Sequence, residues 1–96
     1  MGDQKGPKRL PVKISDEVLK GVYANSLMVM HARGEFVLDF LSVFPPQASV
    51  NARVIVKPDS LKRMLRAVKE NLDKYESRFG EIVLPEGDSE GEPEFS

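Results

Sequence analysis

The sequence contains no cysteine. Disulfides, thiolate chemistry and cysteine-based metal sites are therefore excluded, and the composition fits a reducing compartment such as the cytoplasm. There is one histidine, His31, which cannot by itself build a catalytic triad or a histidine metal cluster. No apolar run approaches the roughly 18 residues that would cross a membrane. The opening "MGDQKGPKRLPVK" is basic but lacks the apolar stretch of a secretory signal. There is no glycine-rich phosphate loop and no nucleophile elbow. Together these absences lead us to expect a non-enzyme with no cofactor and no bound metal, neither embedded in a membrane nor exported.

What is present suits one small folded domain: 96 residues, 41% hydrophobic and 30% charged, in the usual range for globular chains. A chain this short can bury only a modest core, and association of copies is a common remedy. The net charge of −1 is unevenly spread. Residues 1–13 carry Lys5, Lys8, Arg9 and Lys13 against Asp3, and residues 85–96 carry Glu86, Asp88, Glu90, Glu92 and Glu94 with no base. Both ends are rich in Gly, Pro and polar residues and are expected to be disordered tails, one basic and one acidic. Residues 14–84, with ten Lys/Arg and nine Asp/Glu, form the domain.

Within the domain, "SDEVLKG" (15–21) reads either as a short helical turn capped by Ser15 or as an irregular lead-in. "VYANSLMVMHA" (22–32) and "EFVLDFLSVF" (35–44) are β-branched, aromatic and free of internal Pro or Gly, which predicts two strands. Arg33-Gly34 between them is a two-residue hairpin signal, because such turns need the positive φ that Gly supplies. "PPQAS" (45–49) reads as a turn or loop, and "VNARVIV" (50–56) as a third antiparallel strand with Val50, Ala52, Val54 and Val56 on one side and Asn51, Arg53 and Ile55 on the other. "KPDSLKRMLRAVKENLDKYESRFG" (57–80) is a long helix: Pro58 starts it, Asp59 favours its dipole and Gly80 ends it. Leu61, Leu65, Val68, Leu72, Tyr75 and Phe79 recur at spacings of 4,3,4,3,4, one continuous apolar stripe. "EIVL" (81–84) is a candidate fourth strand or an extended segment packing back. The expected fold is therefore α+β: a three- to four-stranded antiparallel sheet followed by one long C-terminal helix.

The hairpin sets Ala32 opposite Glu35, Met30 opposite Val37, Met28 opposite Asp39 and Leu27 opposite Phe40. Alternation then gives two faces. One holds Tyr23, Leu27, Val29, Phe36, Leu38, Phe40 and Phe44, and the helix is expected to cover it. The other holds Met28, Met30, Val37, Asp39, Leu41 and Val43, with Arg53 from the third strand. Nothing left in the chain covers this second face, which marks it as an oligomer interface. Asp39 in the middle of an apolar run calls for a partner, and the fork of Arg53 suits a carboxylate, in a pair formed either within the chain or across subunits. In the helix, Lys62, Arg63, Arg66 and Lys69 crowd the first half, a candidate nucleic-acid surface, though without interleaved aromatics and diluted by Asp59, Glu70 and Asp73. Tyr75 and Phe79 read as core.

Four segments carry a resemblance: "GVYAN" (21–25), "EFVLDF" (35–40), "RVIVKP" (53–58) and "NLDKYESRFGEI" (71–82). In this order they resemble the bacterial family catalogued as domain of unknown function 3467. The resemblance implies a small soluble bacterial protein and transfers no activity or catalytic residue. Asn25, Glu35, Asp39, Arg53, Tyr75, Glu76 and Gly80 fall on its motif. The leading expectation is a non-enzymatic, cytoplasmic homo-oligomer, such as a dimer, acting as an interaction or scaffold module. The alternatives are a chaperone-like binder of unfolded polypeptides through the methionine-bearing face, and a nucleic-acid binder through the basic half of the helix. A protein partner is not specified, nucleic acid is not the expected ligand, and no membrane association is expected.

Overall fold

A computed structural model describes residues 9–85. Most of the predicted basic and acidic tails lies outside the described residues. The element order is α1 (Asp16–Leu19), β1 (Ser26–Ala32), β2 (Glu35–Phe44), β3 (Gln47–Val56) and α2 (Pro58–Phe79). The three strands form one antiparallel sheet in the order β1-β2-β3. The fold is α+β, as the sequence pattern requires.

Local chemistry accounts for each boundary. The Ser15 hydroxyl accepts from the Val18 amide at 3.3 Å and caps α1. Arg33-Gly34 turns β1 into β2, with Gly34 at φ 86°. The expected register holds at every pair, from Ala32 opposite Glu35 to Leu27 opposite Phe40. Pro58 opens α2, and the Gly80 amide closes it by donating to the Glu76 carbonyl at 2.8 Å.

Four expectations are corrected. The first strand starts at Ser26, so residues 22–25 stand outside it. The third strand starts at Gln47, because Pro45-Pro46 alone makes the turn and "QAS" pairs back onto Ser42–Phe44. No strand forms at 81–84 among the described residues. Finally, β3 contains a bulge: Ala52 faces Phe40 but Val50 faces Leu41, which leaves Asn51 without an opposite number. One extra residue reverses the alternation beyond it. Val50 therefore joins the face of Met28, Asp39 and Leu41 instead of following Val54 and Val56.

The largest departure concerns α2. No residue of the helix is buried, and only Ser60 and Leu61 near its start, with Glu76, are even half-buried. The expected layer of helix over sheet does not form. A single residue, Lys57, joins β3 to α2. Returning a helix across the sheet it has just left takes a longer connection, commonly two to six residues. The stripe is also narrow: it follows a strict alternation of three and four, which suits a helix seam better than the broader face a sheet needs. Among the described residues the enclosed apolar core is accordingly small: Leu38, Leu41 and Val56.

Candidate functional site

The middle of the sheet carries one ion pair. Asp39 on β2 and Arg53 on β3 are direct neighbours in the antiparallel register. Arg53 Nε donates to Asp39 Oδ1 at 2.7 Å and its Nη2 to Oδ2 at 2.9 Å, a two-pronged fit. The pair forms within one chain. Asp39 has no exposed surface, whereas the Arg53 side chain remains 59% exposed. The register places Met28 on the other side of Asp39, with Val37 and Leu41 before and after it on the same face. These neighbours flank the carboxylate within a single-layer sheet. The Arg53 hydrogen bonds hold the Asp39 carboxyl below its usual value; burial opposes them and the guanidinium charge adds to them. The same bonds raise Arg53 further.

A second polar cluster escaped the sequence reading. Asn25, just before β1, donates its backbone N–H to the Leu41 carbonyl at 2.9 Å. Its side chain then copies a backbone rung: Oδ1 accepts from Val43 N–H at 2.9 Å and Nδ2 donates to the Val43 carbonyl at 3.2 Å. Asn51, the residue extruded by the bulge, reaches across β2. Its Nδ2 donates to the Tyr23 carbonyl at 2.7 Å and to Ser42 Oγ at 2.6 Å. The Tyr23 ring stacks on Phe44 with centroids 6.0 Å apart. The segment "GVYAN" is thus clasped across the ends of β2 and β3. Its sequence signals were an Asn at the edge of a strand pattern, a residue type depleted in strands, and the place of Asn25 on the "GVYAN" motif. Asn25→Ala removes both side-chain bonds to Val43 and should lower stability by about 1–2 kcal/mol. Asn25→Asp, which keeps the acceptor but points a carboxylate at the Val43 carbonyl, should not restore it. Urea unfolding of the three proteins checks both statements.

The residues expected to form an interface fall into three groups. Asp39 and Leu41 are already buried within the chain and cannot serve as a free surface. Met28, Val37 and Val43 are half-buried, and Met30 is exposed. Val50 and Ile55, which share this face, are exposed as well. On the opposite face Val29, Val54 and Phe44 are exposed. The stripe of α2 is barer still: Leu65, Val68, Leu72, Tyr75 and Phe79 are 47–67% exposed. Tyr75 and Phe79, expected in the core, instead pack on each other with centroids 5.0 Å apart. After Gly80 the chain turns back, and the Ile82 amide donates to Glu76 Oε2 at 3.0 Å. Ile82 then borders a depression of about 510 Å³ lined by Val68, Asn71, Leu72 and Tyr75.

The basic residues of α2 are all exposed, but two have acidic neighbours: Arg63 meets Asp59 at 3.5 Å and Lys69 meets Asp73 at 3.2 Å. Lys62 and Arg66 complete the group, both exposed. His31 is exposed at the hairpin end, its ring 5.6 Å from that of Phe36. Among the described residues no three of His, Cys, Asp or Glu gather where they could hold a metal ion. Among the same residues no helix is long and apolar enough to cross a membrane.

Fold and site together define a small α+β protein: one antiparallel sheet that leaves apolar side chains exposed on both faces among the described residues, a long helix with an open apolar stripe, and polar side chains used to hold the sheet together. The chain belongs to the family described as Protein of unknown function (DUF3467), which it matches over residues 1–84. No curated protein and no solved structure matches it.

Proposed function

We propose that the protein is a non-enzymatic, homo-oligomeric interaction or scaffold module of the bacterial cytoplasm. The observation that carries this reading is the imbalance between what one chain encloses and what it leaves open. Leu38, Leu41 and Val56 are its buried apolar residues, while large apolar side chains stand exposed on both sheet faces and along α2. Monomers rarely tolerate apolar patches beyond a few hundred Å². The lack of cysteine and the family resemblance support the bacterial cytoplasm.

The same surface could instead receive unfolded polypeptides, a reading favoured by exposed Met30 beside half-buried Met28. Dye uptake separates the two. A sealed oligomer should leave a hydrophobic dye such as anilinonaphthalene sulfonate dark under folding conditions and should not protect a denatured client from aggregation. Bright dye with client protection would replace the scaffold reading by the chaperone-like one. Retention on heparin that falls steeply with salt would replace both by nucleic-acid binding.

A further inference from the structure

We propose that α2 pairs with α2 of a second copy, antiparallel, about a two-fold axis crossing the helices at residue 70. This rests on the self-association reading and says which surface forms the contact. Three observations carry it.

The first is spacing. Apolar residues at 61, 65, 68, 72, 75 and 79 repeat every three or four positions without a third apolar row. That is a two-helix seam, where packing against a sheet would need a wider face. The seam is also palindromic about position 70: Leu61 meets Phe79 of the second copy, Leu65 meets Tyr75, and Val68 meets Leu72. A two-fold axis requires such reciprocity.

The second is charge. Residues 58–69 hold Lys62, Arg63, Arg66 and Lys69 against Asp59, and residues 70–79 hold Glu70, Asp73 and Glu76 against Lys74 and Arg78. A parallel pair would set the two basic halves side by side. The antiparallel pair sets each basic half against a net acidic one and opposes the helix dipoles. On one flank of the seam Lys62 faces Glu76 of the second copy. The two Lys69 side chains meet near the axis, each with its own Asp73 at 3.2 Å. On the other flank Asn71 faces Asn71.

The third is area and shape. The five exposed stripe residues, at 47–67% exposure, offer on the order of 600 Å² per copy, close to the roughly 800 Å² that each partner of a standard interface contributes. The depression of about 510 Å³ bounded by Val68, Leu72, Tyr75 and Ile82 lies where Leu65 and Val68 of the second copy arrive.

The native chain has no cysteine, so single thiols can be placed at will in the full-length protein and treated with a thiol crosslinker spanning about 10 Å, the separation of packed helices. Asn71→Cys should crosslink to itself, at least about tenfold faster than Phe79→Cys. The two Phe79 positions would lie roughly 27 Å apart along the helix axes, at 1.5 Å per residue. A mixture of Met64→Cys and Arg78→Cys should crosslink to each other. Circular dichroism and wild-type mass in solution accompany each reaction. Rapid self-crosslinking of Phe79→Cys would overturn the antiparallel arrangement. Absence of crosslinking at Asn71, in a protein whose wild type has the mass of two or more chains, would overturn the helix pairing and leave self-association standing. A wild-type mass of one chain would overturn both.

Discussion

Leu72→Glu is expected to convert the assembly into single chains. Leu72 sits at the centre of the α2 stripe and is 47% exposed in the isolated chain. A carboxylate there can reach water in the lone chain, so its cost in that state is small beside its cost in a dry seam. In a dry seam the same carboxylate would lose its water without gaining a partner, at a cost of several kcal/mol. Association should weaken by at least about a hundredfold, equivalent to roughly 2.7 kcal/mol. Stability should fall with it, because so small a core is poorly stable on its own and unfolding is then coupled to dissociation. The wild-type melting temperature should rise with protein concentration, whereas that of Leu72→Glu should be low and nearly independent of it. Ser77→Glu, on the side of the helix away from the stripe, should behave as wild type. An unchanged sedimentation coefficient for Leu72→Glu at micromolar concentration would remove α2 from the interface.

Arg53→Met is expected to be the most damaging change at a side chain that is itself largely exposed. The Arg53 side chain is 59% exposed and Asp39 is fully covered, so the two halves of the pair are not equivalent. Removing the carboxylate with Asp39→Asn leaves a guanidinium that water can reach. Removing the guanidinium leaves a covered carboxylate without a partner, the costlier outcome. Arg53→Met should lower the melting temperature by on the order of 10 °C, and Asp39→Asn by less. The pH dependence follows from the direction of the shift. The folded-state pKa of Asp39 is lowered, so the pair's contribution is fully present above the unfolded value of about 3.9 and is lost as pH falls through the folded value. In Arg53→Met the bonds that lower the pKa are gone while burial still raises it, so acid relieves the variant. The gap in melting temperature between wild type and Arg53→Met should narrow as pH falls through the region of about 4, from the variant's raised value toward the wild type's lowered one. A gap that stays constant from pH 7 to pH 3 would mean that the Asp39 charge is not what the substitution exposes. The contribution of Arg53 itself persists to strongly alkaline pH, since its pKa is raised.

The sequence pattern made the sheet legible where a period of two and a glycine turn coincide. The β1–β2 register followed from Arg33-Gly34, and a carboxylate inside an apolar run pointed to the arginine across the next ladder. Beyond Phe40 the pattern misled, because an extruded Asn51 looks in sequence like an ordinary outward-facing residue and only the pairing reveals that Val50 has changed sides. Pro45-Pro46 concealed the third strand's start, since the sequence pattern extends the turn through Ser49 although the two prolines alone make it. The helix was legible in extent but not in placement. An apolar stripe states that something will cover it, not what. The one-residue junction at Lys57 and the strict three-and-four spacing were the available signs that the cover is not the chain's own sheet. The clasp of Asn25, Ser42 and Asn51 was beyond pattern reasoning, since it depends on the bulge and on a side chain imitating a backbone rung.

Shielding of these apolar surfaces by other copies of the chain is the claim on which the functional reading depends. Light scattering of the purified full-length protein, measured across a hundredfold dilution, tests it most directly. The mass should be a whole multiple of 10.7 kDa, at least two, falling toward one chain only at the lowest concentrations. A stable particle of a single 10.7 kDa chain at every concentration, cooperatively folded and dark to hydrophobic dye, would contradict it.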